Sequence, residues 1–202
     1  MGIGSWLEKS THNPQTGDFF LILLNLILKL PFLFVDVFPS DVTFYASTGW
    51  LLLNRVLPYS SFSRDNIIPL YQYWNSIHPN GPFNYLYYSG IVLAFGDSVP
   101  AIKFTWLIAD IVIAIYLVRL GRFWMVPQKA IWLGILYTVC IPCYYPGILV
   151  GCDELITSAF VIMALYYFYA HRPVLAGFWL SLGFAYKLYP LFLFPPILLD
   201  LS

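Results

Sequence analysis

The run Gly151-Cys152-Asp153-Glu154 opens an apolar stretch that ends at Ala170-His171-Arg172-Pro173, and a second apolar stretch then closes on Ala185-Tyr186-Lys187-Leu188-Tyr189-Pro190. Two acids and one lysine therefore sit at the ends of greasy segments. Ionisable groups at the edge of hydrocarbon are costly and are kept for substrates or ions, so the pattern points to a membrane enzyme or a transporter.

Composition agrees with a lipid solvent. Hydrophobic residues make up 60% of the 202 and charged ones 10%, against roughly 25% charged in a soluble domain; mean hydropathy is +0.74. Ten basic and ten acidic side chains cancel, which leaves no long-range field to gather nucleic acid. Aromatics reach 20%, with 16 Tyr and 7 Trp, suited to interfacial belts and to stacking on flat ligands such as sugars. Cys140 and Cys143 have C-x-x-C spacing, but no second ligand pair exists and His12, His78 and His171 are scattered. Buried free thiols are the better reading, so neither metal nor cofactor is expected.

The polar start, with Glu8, Lys9 and His12, lacks the pattern of a cleaved signal. The first span is predicted at about 19–38, near the roughly 20 residues a crossing needs, with Lys29 and Pro31 facing other helices. A long external loop follows at about 39–82. Its first part, Val42 to Leu57, sets Thr43, Ser47 and Asn54 on one helical side and Tyr45, Leu52, Leu53 and Val56 on the other, which reads as an amphipathic interfacial helix. Membrane segments fill 83–202: a short one from Phe83 to Gly96, a full one from Pro100 to Leu120, then about Ala130 to Val150, Leu155 to Ala170, Val174 to Tyr186 and Leu191 onward. The predicted fold is a single all-α, multi-pass transmembrane bundle. Arg119, Arg122 and Lys129 around one loop and Arg172 at another place both loops in the cytoplasm and turn Asp153 and Lys187 outward. An outward first loop and a cytoplasmic Arg119 need only one full crossing between them, which leaves the crossing of Phe83 to Gly96 open.

Each charged position has a functional and a structural reading. Asp41, just past the first span, could take a proton from a hydroxyl acceptor or cap the following helix, a cap being worth about 1 kcal/mol. Asp36 is a second candidate base. Lys187 could hold a lipid phosphate as a compact cation or snorkel to the interface. Capping accounts for one of Asp153 and Glu154 and leaves the other over. Lys103 and Asp110, two turns apart, neutralise each other or partners on other helices. Arg55 and Arg64 in the loop are either phosphate contacts or solvated charges. His78, in a turn-rich run, carries no assignment.

In order along the chain, Asp41-Val42-Thr43-Phe44-Tyr45 with Leu57-Pro58-Tyr59, Gly81-Pro82-Phe83-Asn84-Tyr85, Phe95-Gly96-Asp97-Ser98, Gly151 to Asp153, Arg172-Pro173 with Ala176-Gly177, and Lys187-Leu188-Tyr189-Pro190 resemble the C-class (GT-C) membrane glycosyltransferases, particularly their mannosyltransferase-like branch. The resemblance implies a GT-C-like bundle that moves a hexose from a polyprenyl-phosphate sugar to a hydroxyl acceptor with inversion. Asp41 matches the family's base in the first external loop, and Lys187 matches a stretch near the carrier phosphate. Asp153 matches an acid at an outer helix start; Arg55 matches no motif of the family, and with Glu154 and Tyr45 it completes the expected substrate-binding set. A lipid phosphate is already a leaving group, so a base, a cation and a greasy groove suffice.

Family members usually have more spans, whereas this sequence stops at Ile197-Leu198-Leu199-Asp200-Leu201-Ser202. It would then be a fragment, or a half that needs further helices or a partner chain. A transporter or channel, with Asp153, Glu154, Asp110 and Lys187 along a polar path, is the competing class. A noncatalytic subunit of a membrane complex is the third. The expected location is the cell membrane, with the active site on its outer face and lipid and a polyprenyl-phosphate sugar as partners.

Overall fold

Prolines punctuate the chain where helices begin. Pro82, Pro127 and Pro173 are each the first residue of a helix, where the missing N–H leaves no bond unmade. The computed structural model describes residues 14–35, 41–55, 80–96, 98–140, 148 and 153–193. Every element among them is helical: α1 (Pro14–Lys29), α2 (Asp41–Leu53), α3 (Pro82–Phe95), α4 (Val99–Gly121), α5 (Pro127–Val139), α6 (Glu154–Tyr169) and α7 (Pro173–Tyr186). Pro31 cannot donate to the preceding turn, and α1 passes there into a tighter 3-10 turn, Leu30–Phe34. A second 3-10 turn, Tyr189–Leu193, follows α7.

Among the described residues, two stretches are long and apolar enough to cross a membrane, Thr16–Phe34 and the 23-residue α4. The 16 residues of α6 and 14 of α7 give about 24 and 21 Å of helix, short of the roughly 30 Å hydrocarbon layer. α1 is amphipathic inside out. Gly17, Leu21, Asn25 and Lys29, four residues apart, are buried, while Phe19, Leu23, Ile27, Leu30 and Phe34 are exposed. α4 is the central element, packed by α1, α2, α5 and α6. At mid-bundle Lys29 Nζ pairs with Asp110 Oδ2 at 2.5 Å with both side chains fully buried, and Tyr137 donates to Asp110 Oδ1 at 2.8 Å. Lys103 and Asp110 therefore do not pair with each other. Lys103 instead donates to the Val35 carbonyl at 2.6 Å.

The bundle has two chemically distinct poles. At one, Arg119 pairs with Asp18 at 2.5 Å, Tyr116 meets Tyr167 at 3.2 Å, and Trp124 packs edge-on to Tyr169 at 4.7 Å. The starts of α1, α5 and α7 and the ends of α4 and α6 thus share this pole with Arg122, Lys129 and Arg172. The hairpin between α6 and α7 turns at His171, whose φ of 55° puts it in the left-handed region. Arg172 N–H closes onto the Tyr167 carbonyl at 2.9 Å and His171 N–H onto Phe168 at 3.0 Å, a Schellman-type stop that frees Pro173 to start α7.

At the other pole the α7 end lies beside the α6 start and receives the α3 start. Gly81 N–H donates to the Tyr186 carbonyl at 2.9 Å. A Cβ on Gly81 would collide with the Ala185 carbonyl, so only glycine allows this approach. α3 begins here and leads through Gly96, at φ 66°, into the start of α4. Both its ends lie at one pole, so α4 alone carries the chain from there to Arg119.

α2 differs from the expected surface helix. Among its described side chains Val42, Tyr45, Ala46, Thr48 and Gly49 are buried, on a helix packed against α3, while Leu53 and, just past its end, Asn54 are exposed. The physical reason is size: a Cβ on Gly49 would stand 2.6 Å from the Tyr88 carbonyl oxygen, so the small Ala46 and Gly49 let two backbones close together. The loop beyond 55, with Arg64 and His78, lies outside the described residues, as do Asp36, Cys143, Cys152 and the segment after 193.

Candidate functional site

The α6–α7 hairpin brings Glu154, at the first turn of one helix, next to Lys187, just past the end of the other. Lys187 Nζ sits 2.5 Å from Asp153 Oδ1 and 2.7 Å from Glu154 Oε1. Asp153 is fully buried. It occupies the N-cap position of α6 without capping it. Its carboxylate turns instead to the other helices of this pole: Tyr45 of α2 donates its hydroxyl to Oδ1 at 2.6 Å, and Asn84 of α3 donates Nδ2 to Oδ2 at 2.9 Å. Asn80 supports the amide of Asn84 from 3.5 Å. Four elements, α2, α3, α6 and the end of α7, therefore meet on one carboxylate.

Beneath these groups is an aromatic floor. The Tyr45 ring stacks on Tyr88 with centroids 4.8 Å apart and lies edge-on to Trp106 at 6.0 Å. Tyr88 OH accepts from Trp106 Nε1 and from Tyr186 OH, each at 3.0 Å. Tyr88, Trp106 and Tyr186 have no exposure. Their hydroxyl and indole groups satisfy one another, as buried polar groups must.

Burial pushes the Asp153 carboxyl above its ordinary value, while Lys187 and the Tyr45 hydroxyl draw it back. For Lys187 burial acts downward, but Asp153 and Glu154 outweigh it and hold the ammonium above the ordinary lysine value. Burial and the adjacent Asp153 drive the Tyr45 hydroxyl far upward, so it stays a donor. One ammonium stands against two carboxyl groups. Lys187 is thus not a bare cation; two of its three N–H groups point at carboxylates. Glu154 is the open edge of the cluster, its side chain 52% exposed.

Of the six residues expected from the sequence, Tyr45, Asp153, Glu154 and Lys187 come together. Arg55 does not: it is exposed, in a left-handed conformation just past α2, about 15 Å along the helix from Tyr45 at 1.5 Å per residue. Asp41 opens α2 one turn before Tyr45, and its side chain lies outside the described residues. Asn84 and the Tyr88–Trp106–Tyr186 floor were not singled out. The signal for Asn84 was a polar residue one turn into an otherwise apolar helix. Among the described residues no group of His, Cys, Asp and Glu has the arrangement to hold a metal ion. No protein-family model, curated protein or solved structure matches the chain.

Proposed function

We propose that the chain is a multi-pass membrane glycosyltransferase of the C class that moves a hexose from a polyprenyl-phosphate carrier to a hydroxyl acceptor. The observation that carries the reading is the Tyr45–Asp153–Lys187 linkage. It ties the start of α2, one turn from Asp41, to the end of α7 at a single pole. A base and a phosphate-binding cation are needed within reach of one substrate, and these two segments, over a hundred residues apart, supply them. The inside-out pattern of α1 and the outward apolar side chains Phe104 and Ile108 of α4, Trp132 and Leu136 of α5, and Phe178 of α7 support burial in lipid. The basic pole faces the cytoplasm and the Asp153 pole the outer side.

In this mechanism Asp41 takes the acceptor proton as the hydroxyl attacks the anomeric carbon. Lys187 steadies the departing lipid phosphate. To do so it exchanges Glu154 for a phosphate oxygen and keeps Asp153; Glu154 is half-exposed, so leaving it costs at most about 1 kcal/mol. Asp153, held by Tyr45 and Asn84, keeps the ammonium in place during the exchange. The transporter reading has weaker support, because Asp110 closes on Lys29 and Tyr137 while Asp153 closes on Tyr45, Asn84 and Lys187. These are separate clusters, each with its own partners.

The test is transfer in membranes containing the chain, with a polyprenyl-phosphate hexose as donor. Asp41→Asn is expected to abolish transfer at an unchanged protein level. Lys187→Met is expected to lower kcat as well as raise the KM for the donor, because the phosphate it steadies gains charge as it departs. Full activity of Asp41→Asn would remove the base, and consumption of no polyprenyl-phosphate hexose by the wild-type chain would remove the reading.

A further inference from the structure

The basic pole carries chemistry that the transfer reaction does not use. Arg122 caps the end of α4, and its Nε and Nη2 atoms are shielded from solvent yet have no hydrogen-bond partner. Buried guanidinium N–H groups are ordinarily satisfied, and an orphaned pair on one side of the fork calls for an acceptor. Arg119, one turn earlier, cannot release its own partner, since it is paired with Asp18 and stacked over Tyr116 at 5.2 Å. Lys129 and Arg172 are exposed nearby. Among the described residues the pole thus sets four cations, Arg119, Arg122, Lys129 and Arg172, against one acid, Asp18.

A second observation fixes the depth of this pole in a bilayer. Directly after Arg122 come Phe123 and Trp124, 44% and 58% exposed, with Tyr169 40% exposed beside them. Trp124 and Tyr169 stand edge-to-face at 4.7 Å, and Phe123 is 6.1 Å from Tyr169. Exposed Trp and Tyr at a helix end mark the headgroup level, where the ring is half in hydrocarbon and half wet. Arg122 is therefore at the depth of lipid phosphates. A guanidinium presents two parallel donors to a phosphate, a geometry that ammonium lacks.

We propose that Arg122 binds the phosphate of an acidic phospholipid, whose acyl chains lie against the Phe123–Trp124–Tyr169 aromatic cluster and whose net charge is matched by the excess of cations at this pole. Arg122 supplies the specific contact, its Nε and Nη2 reached once the side chains that cover them turn aside for the headgroup. Lys129 and Arg172 supply only the field that favours anionic over zwitterionic lipid. The proposal rests on the membrane reading of the bundle and not on its transferase activity.

The test uses the full chain in nanodiscs of phosphatidylcholine with or without phosphatidylglycerol, reading lipid retained by native mass spectrometry and thermal stability in parallel. Wild type is expected to retain phosphatidylglycerol in preference to phosphatidylcholine. Arg122→Gln is expected to weaken that retention about tenfold, the loss of one charge-assisted contact. Arg122→Lys should recover part of it, and Lys129→Gln should leave it nearly intact. Unchanged helicity by circular dichroism separates loss of binding from loss of fold, and Arg122→Lys serves if Arg122→Gln does not fold. Equal retention by Arg122→Gln and wild type, or equal retention of both lipids, overturns the proposal. So does the same stabilisation by inorganic phosphate alone, which would make this a general anion site.

Discussion

A fully buried carboxylate with donors from three other elements is a position where one atom governs a whole pole. Removing Lys187 leaves Asp153 with Tyr45 and Asn84 but no counter-charge. Lys187→Met is expected to lower stability by about 2 to 3 kcal/mol at neutral pH, less than for a fully buried pair because the lysine side chain is 14% exposed. The pH dependence has a definite sign. Lys187 is raised in the folded state, so its contribution is full below the ordinary lysine value of 10.5 and fades as pH rises through the higher folded value. Denaturation of wild type and Lys187→Met in detergent should therefore differ most near neutrality and converge in strong alkali; a constant gap up to high pH would separate Lys187 from the ion pair. Lys29 and Asp110 provide the sharper case, since both are fully buried. Lys29→Met alone is expected to cost about 3 kcal/mol or more, and adding Asp110→Leu to recover most of it, because two apolar side chains replace two charges that must otherwise be compensated. Unfolding of the single and double variants in the same detergent checks this, and additive losses would count against the pairing. The four charged or hydroxyl residues at Asp153 were legible because each stands out against apolar neighbours. The partner of Lys29 was not, as nothing local connects it to a residue 81 positions away.

Helix ends were largely legible and helix faces less so. α3, α4, α6 and α7 begin and end within a few residues of the expected bounds, because proline, glycine and Ala170-His171-Arg172-Pro173 announce them chemically. α2 shows where the reading fails. Its polar and apolar sides were assigned as for a helix lying between lipid and water; Tyr45 is buried and Asn54 exposed as expected, but Leu53 is exposed too, because the buried stripe is chosen by fit to α3. Side-chain polarity loses to side-chain volume when backbones come this close. Gly49→Ala is accordingly expected to destabilise by about 1 to 3 kcal/mol, since its Cβ meets the Tyr88 carbonyl and that backbone cannot move aside cheaply. Gly90→Ala, one position past the same contact region but with nothing within 4 Å of a new Cβ, is expected to gain roughly 0.5 to 1 kcal/mol from helix propensity alone. Paired thermal melts of the two variants decide it; equal effects would mean that α2 and α3 are not in backbone contact.

At the scale of the whole molecule, the bundle sorts charge by end. Arg119, Arg122, Lys129 and Arg172 collect where α4 and α6 finish, and Asp153, Glu154 and Lys187 collect where α6 starts. That segregation was readable from lysine and arginine positions alone, since the loops that hold them are short. What the sequence left undetermined was the number of crossings, and the geometry of α3 supplies the reason: a 14-residue helix that starts and ends at one pole has the hydropathy of a span without its length. The orientation can be tested directly in a chain whose native cysteines are replaced by serine. Lys129→Cys and Leu188→Cys each put a thiol at an exposed position, one beside the basic cluster and one beside Lys187. With a membrane-impermeant maleimide added to intact cells, Cys at 188 is expected to label at once and Cys at 129 only after the membrane is permeabilised, because basic loops stay on the cytoplasmic side. Labelling of both from the same side would contradict a bundle whose poles face opposite compartments, and with it the placement of Asp41 and Lys187 on a common outer surface. Reversed labelling would keep the poles apart but move the sugar-transfer chemistry to the cytoplasmic leaflet, where the carrier would have to present its phosphate from within.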